Sequence, residues 1–138
     1  MEAWLLPDHL RRYRSQIHFT GWLAPDQVEE WYRTADILVV PSWYEPFGMV
    51  VLEGMIHGLA IAASAVGGPA EILHDGRTGV LFPPGDAQAL ARSILRLVND
   101  VDYRAQLAEA GAEDVRRNWL WPRIVEKMRS MYEEVVRL

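Results

Sequence analysis

The strongest constraint on the fold of this chain is a pair of strand-length runs that do not alternate between polar and apolar side chains. They are DILVVP, residues 36–41, and LAIAASA, residues 59–65. A strand with one wet face alternates; a run apolar throughout fits a strand covered on both faces, as in a parallel sheet flanked by helices. Between the two runs, residues 48–58 read as a helix. After the turn signal Asp75-Gly76, TGVLF reads as a further strand. Upstream, residues 16–20, QIHFT, read as a short strand stopped by Gly21. From Pro25, Val28, Trp31, Tyr32 and Ala35 then recur at helical spacing, and proline is favoured at a first helical position, where its missing N–H is not needed. The alternation predicts an α/β fold: a parallel sheet of about four strands with flanking helices.

The last third changes rhythm. Asp86 is placed to cap a helix whose Leu90, Ala91, Ile94, Leu97 and Val98 form one stripe, and a second helix is expected over residues 101–117. A third starts near Trp121-Pro122, with Ile124, Val125, Met128, Met131, Tyr132 and Val135 on one face. Such stripes are ordinarily core, so these helices are expected to pack against the sheet or another domain and are assigned no chemistry. The chain shows no repeat, low-complexity stretch or linker. It is read as one domain, with an α/β part over residues 1–99 and terminal helices over residues 100–138.

Composition removes several function classes. Half of the 138 residues are hydrophobic, 24% are charged and the formal charge is −5. No basic run is longer than the cluster at residues 11–14, which reads as a solvated helix face, so no nucleic-acid partner is expected. The absence of cysteine excludes disulfides and thiolate metal sites. The four histidines, His9, His18, His57 and His74, show no ligand spacing, and no metal is expected. His57 reads as a packed or capping side chain. No stretch approaches the ~20 apolar residues of a membrane span, and the first residues lack the pattern of a secretory signal, so a cytoplasmic location is the expectation.

The chemistry concentrates in PSWYEPFGMVVLEGM, residues 41–55, where Glu45 and Glu53 flank Gly48. A buried strand ending at Val40, followed by a loop and a helix from about Gly48, puts a helix N-terminus at the carboxyl edge of the sheet. Open α/β folds bind ligands at that edge. First-turn amides have no intrahelical acceptor and carry partial positive charge, which suits a phosphate, and Gly48 allows close approach. Glu53 lies ~8 Å further along the helix axis. Carboxylates do not bind phosphate but accept well from hydroxyls, so the pattern suits a phosphate with a polyol on either side, the form of a nucleotide sugar. On spacing alone an alternative stands: Glu45 as a helix-capping acid and Glu53 as a solvated position.

The stretch from ADILVVPSWYEPFG through Gly67-Gly68-Pro69-Ala70-Glu71, the Asp75-Gly76 to Gly79 turn and Pro83-Pro84-Gly85-Asp86 resembles the carboxyl-terminal domain of retaining glycosyltransferases of family four. That family has the GT-B architecture of two Rossmann-like domains around a cleft. The likeness extends more loosely to HFTGWLAPDQVEEWYRTAD and to the terminal helices. It implies a donor-binding domain that helps transfer a sugar from a UDP-, GDP- or ADP-sugar to an acceptor, with retention and without a metal or other cofactor. By the same resemblance Glu45 contacts donor-sugar hydroxyls near the reacting centre, the amides of Phe47, Gly48, Met49 and Val50 hold sugar and diphosphate, and Glu53 binds the ribose. Gly21 and Trp22 fall where the family contacts the base, although Trp22 equally fits a core position at a strand end. Gly67 and Gly68 shape a loop near the donor or simply make a tight turn.

Against the family pattern, the two strands that begin the domain and lie between QIHFT and DILVVP in the usual sheet order 3-2-1-4-5-6, the diphosphate-gripping arginine and lysine of that segment, and the acceptor-binding domain have no counterpart here. Lys127 is the only lysine, and Arg77, the nearest basic residue downstream, reads as exposed. The expectation is therefore a piece of a donor domain truncated on its N-terminal side and inactive alone, either a truncated product or a piece completed by another chain, with an edge of the sheet left unpaired. A non-catalytic nucleotide-binding or partner-subunit module is the rival reading.

Overall fold

The computed structural model describes residues 7–136 other than the side chains of residues 8 and 9, so the expectation for His9 lies outside the described residues. They fall into two compact units, one ending at residue 30 and one running from residue 31. In the first, a 3-10 helix, Asp8–Gln16, is followed by extended chain, a turn at Gly21 and the start of helix α1, Pro25–Thr34. The Gln27 side chain accepts from the Ala24 amide at 3.0 Å and satisfies one donor at the helix entry.

The strand expected at residues 16–20 is not formed. Gln16 closes the 3-10 helix, and the extended residues after it pair with no strand among the described residues. QIHFT has only two large apolar side chains, and Phe19 is exposed. An extended segment becomes a strand through its ladder, and this one lacks the apolar run that draws the others into a sheet.

The second unit carries three strands: β1, Ile37–Val40; β2, Ala60–Ser64; and β3, Val80–Phe82. All pair in parallel in the order β1-β2-β3, with Ile37 opposite Ala60, Val40 opposite Ala63 and Ser64 opposite Phe82. The helices are α2, Met49–Ile56; α3, Gly67–Ile72; α4, Ala87–Asn99; α5, Val101–Asn118; and α6, Trp121–Val136. The expected α/β architecture is present, with three strands in place of about four. α3 is additional to the sequence reading, because GGPAEI begins with two poor helix formers and a proline tolerated only within a first turn.

Every residue of β2 is buried, and its alanines leave room for helices to close on both faces. On one face Ala60, Ala62, Phe82, Ala89, Leu97 and Leu107 form the core, with Ile37, Val39, Val80, Leu90 and Tyr103 packed against it from β1, β3, α4 and α5. On the other, α2 approaches so closely that a Cβ on Gly54 would lie 2.9 Å from Ile61 Cδ1 and would crowd Leu38 as well. α4 and α5 start as expected: Asp86 Oδ1 accepts from the Ala89 amide at 2.8 Å, and Asp100 Oδ1 accepts from the Tyr103 amide at 2.9 Å.

α6 does not pack into the core of this unit, and packing against another domain, the other expectation, is not tested by this chain. It starts at Trp121 as anticipated but buries no residue, and Val125, Met128, Met131, Tyr132 and Val135 remain exposed. No element among the described residues covers that face. A helical stripe records that a face wants a cover, and the cover itself is a tertiary matter.

Leu97 is fully buried and Leu95, two positions away on the same helix, is 58% exposed. Leu97→Ala should therefore lower stability by about 2–5 kcal/mol in urea unfolding, whereas Leu95→Ala should change it by no more than about 0.5 kcal/mol.

Candidate functional site

The carboxyl ends of β1 and β2 deliver two loops to the start of α2. Gly48 is the N-cap of α2 with φ 87°, a left-handed conformation that only glycine adopts without strain. Its amide donates to Glu45 Oε1 at 2.9 Å, and its carbonyl accepts from the Val51 and Leu52 amides. Glu45 therefore engages the N-cap residue's own amide, and the first turn of α2 carries no side-chain cap. The amides of Phe47, Met49 and Val50 donate to no acceptor among the described residues. Together with the helix dipole they form a donor cluster suited to an anion.

The second loop holds the first in place. Gly68 donates its amide to the Glu45 carbonyl at 3.0 Å. A Cβ on Gly68 would overlap the Phe47 carbonyl, and one on Gly67 would overlap the carbonyl of Glu45. Gly67 and Gly68 thus begin α3 and also let it nest against the 45–48 loop, a role beyond the tight turn considered from sequence.

Glu53 is on the exposed side of α2, and its Oε2 accepts from the Tyr32 hydroxyl at 3.0 Å. The phenol of Tyr32 is pushed up to about 12, first by burial, then by its hydrogen bond to Glu53 and the negative charge there. His57 stacks on the Tyr32 ring, with centroids 5.2 Å apart, and its Nδ1 donates to the Glu53 carbonyl at 2.8 Å. His57 is a packed, helix-ending side chain, as expected. Tyr32 was legible only as an apolar position of α1; no local signal marks a contact 21 positions away.

The other site residues divide. Trp22 is exposed, which excludes the core reading for it, and Gly21 makes a left-handed turn beside it; both belong to the first unit. Arg77 is exposed and lines a separate polar pocket with Thr78, Glu113, Asp114 and Arg117. Contrary to the expectation that the chain carries no Asp-x-Asp pair, it has one, Asp100 and Asp102. It is a helix start, with Asp100 capping α5, and no group of three metal-binding side chains occurs among the described residues. No helix among them is long and apolar enough to cross a membrane. An apolar groove of about 540 Å³ adjoins the same helix: Phe47, Met49, Glu53 and Ile56 line it together with Trp119 and Met128.

The glycosyl transferases group 1 family matches residues 3–100. A D-inositol 3-phosphate glycosyltransferase of Salinispora tropica is 41% identical over 136 residues, covering 94% of this chain and 28% of its own length. The structure of a sucrose-phosphate synthase from Thermosynechococcus elongatus superposes with a TM-score of 0.80 at 34% identity, over 94% of this chain and 33% of that one. Anabaena HepE, solved in complex with UDP, gives 0.75 at 26% identity, over 94% and 35%. HepE has also been solved with UDP-glucose. The chain thus spans about a third of the length of these relatives.

Two outcomes follow from the site's geometry. Gly68→Ala should cost about 2 kcal/mol or more in urea unfolding, because its Cβ meets main chain rather than a movable side-chain end. The raised phenol of Tyr32 stabilises the fold fully below pH ~10 and ceases to do so as pH rises through about 12. The urea midpoint should therefore fall less between pH ~9 and ~11 in Tyr32→Phe than in the wild-type chain.

Proposed function

Because the chain belongs to the group 1 glycosyl transferases, we propose that it is the nucleotide-sugar-binding part of a retaining, metal-independent GT-B enzyme of family four. The observation that carries this reading is the start of α2, where unengaged amides lie between two carboxylates that each have an oxygen committed to the protein. A diphosphate accepts from the Phe47, Met49 and Val50 amides. Glu45, held by Gly48 through Oε1, offers its other oxygen to hydroxyls of the transferred sugar. Glu53, held by Tyr32 through Oε2, offers its other oxygen to the ribose. HepE, whose structures contain UDP and UDP-glucose, supports a nucleotide-sugar donor, and uridine is the first base to test.

The chemistry follows from differential stabilisation. As the bond from the anomeric carbon to the diphosphate breaks, negative charge grows on the leaving phosphate. Amides already aimed at it stabilise that charge without reorganising. The helix N-terminus supplies the electrophilic assistance that a metal gives elsewhere, so no step requires one. Glu45, close to the reacting carbon, acts more on the transition state than on the ground state, and Glu53, at the far end of the donor, acts on binding.

The domain boundaries belong to the same proposal. Residues 1–99 supply the α/β donor site, and residues 100–138 supply terminal helices whose exposed α6 face meets the remainder of a larger enzyme. The acceptor site and the second half of the cleft are assigned to that remainder. Transfer then requires a completed enzyme, whereas nucleotide binding is a property of this chain. A non-catalytic module would bind the nucleotide equally well and fail to transfer once joined to an acceptor domain.

Calorimetric titration with UDP, GDP and ADP in the absence of metal tests the site. Binding of one of them, weakened about tenfold or more by Glu53→Ala, is the expected result. In a completed enzyme Glu45→Ala should lower kcat more than it raises KM, and Glu53→Ala the reverse. Equal losses in both parameters for both variants would reject this division of roles.

A further inference from the structure

We propose that Tyr32 is a positioning residue: its hydroxyl holds one oxygen of the Glu53 carboxylate so that the other is presented to the hydroxyls of a bound nucleotide's ribose. The proposal rests on the ribose reading of Glu53 and adds to it a residue from a different element, the last turn of α1.

Three contacts converge on Glu53. The Tyr32 hydroxyl donates to Oε2 at 3.0 Å, the Tyr32 ring stacks on the His57 imidazole at 5.2 Å and 29°, and His57 Nδ1 donates to the Glu53 carbonyl at 2.8 Å. Glu53 is thereby held at its main chain and at its carboxylate by two residues that brace each other. A glutamate on an exposed helix face ordinarily samples several rotamers, and a buried tyrosine ordinarily points its hydroxyl to main chain or water. Here Tyr32 is 9% exposed and spends its single proton on a carboxylate of the helix that begins at the anion site.

The direction of the bond is also determined. An ionised carboxylate only accepts, so the phenol must donate, and the upward shift of Tyr32 fits a proton retained by burial and by the charge of Glu53. With one oxygen occupied by Tyr32, the lone pairs of the other are the ones offered to a vicinal diol. Neighbouring hydroxyls present two donors about 3 Å apart, which a carboxylate with a fixed orientation accepts better than one that must first be ordered. Tyr32 therefore acts on discrimination for the diol and leaves the diphosphate contacts unchanged.

The test is a cycle between protein and ligand. UDP and 2′,3′-dideoxy-UDP are titrated calorimetrically into the wild-type chain, Tyr32→Phe and Glu53→Ala. Tyr32→Phe keeps the ring, its stacking and its burial and removes only the hydroxyl. It should weaken UDP about fivefold and change dideoxy-UDP by less than about twofold. A purely structural role would weaken both nucleotides alike, and that result overturns the proposal. Unchanged UDP affinity in Tyr32→Phe alongside a loss in Glu53→Ala means that Glu53 binds the ribose unaided; only the positioning role then fails. If Glu53→Ala also leaves UDP affinity unchanged, or if the wild-type chain does not bind UDP, the ribose reading itself fails. A check without ligand keeps the bond independently testable: the Tyr32 Cζ resonance should still report a protonated phenol at about pH 11 and should shift toward ordinary phenol behaviour in Glu53→Ala. A Tyr32 titration that is the same in the wild-type chain and in Glu53→Ala would overturn the proposal without reference to any nucleotide.

Discussion

The hydrogen bond from the Gly68 amide to the Glu45 carbonyl is the contact on which the arrangement at the sheet edge depends. It joins the loop after β1 to the start of α3 with no side chain between them. Because both partners are main chain, the separation of the two loops is set by backbone geometry rather than by rotamers. Beside this contact Gly48 takes the left-handed conformation that starts α2, and the Glu45 carboxylate accepts from its amide. A side chain at position 68 would push the loop outward and carry the donor cluster at the α2 N-terminus with it.

The two glutamates differ in how they are held, and this difference gives the site its polarity. Glu45 is half-buried and accepts from the amide three residues ahead, that of the N-cap residue of α2, a local interaction. Glu53 is exposed and is held by a tyrosine from a distant part of the chain. The first carboxylate is coupled to the amides that suit a phosphate, whereas the second stands apart from them and is braced through Tyr32 and His57. The two acceptors thus have different partners, Glu45 in the loop before α2 and Glu53 within the helix.

Much of this organisation was legible before any coordinates. The non-alternating runs at residues 36–41 and 59–65 anticipated β1 and β2, the Asp75-Gly76 turn anticipated β3, and Asp86 anticipated the start of α4, because burial on two faces, turn chemistry and capping all act over a few residues. QIHFT misled because short extended segments look alike whether or not a neighbour exists to pair with them. α3 escaped notice because its glycines are selected by the approach of the 45–48 loop and not by helix propensity. The cover expected for the α6 stripe depends on what lies opposite it, which periodicity does not encode.

By itself, the sequence determined the alternation of buried strands and covering helices, the placement of a helix N-terminus at the carboxyl edge of the sheet, and the family to which those motifs point. Each of these follows from side-chain pattern and backbone preference within a window of a dozen residues. The tertiary structure decided which amides remain available, since Glu45 takes that of Gly48, and which residue orients Glu53, since Tyr32 reaches it across 21 positions. Hydrogen-bond partners distant in sequence are chosen by packing, and packing exists only once the chain has folded.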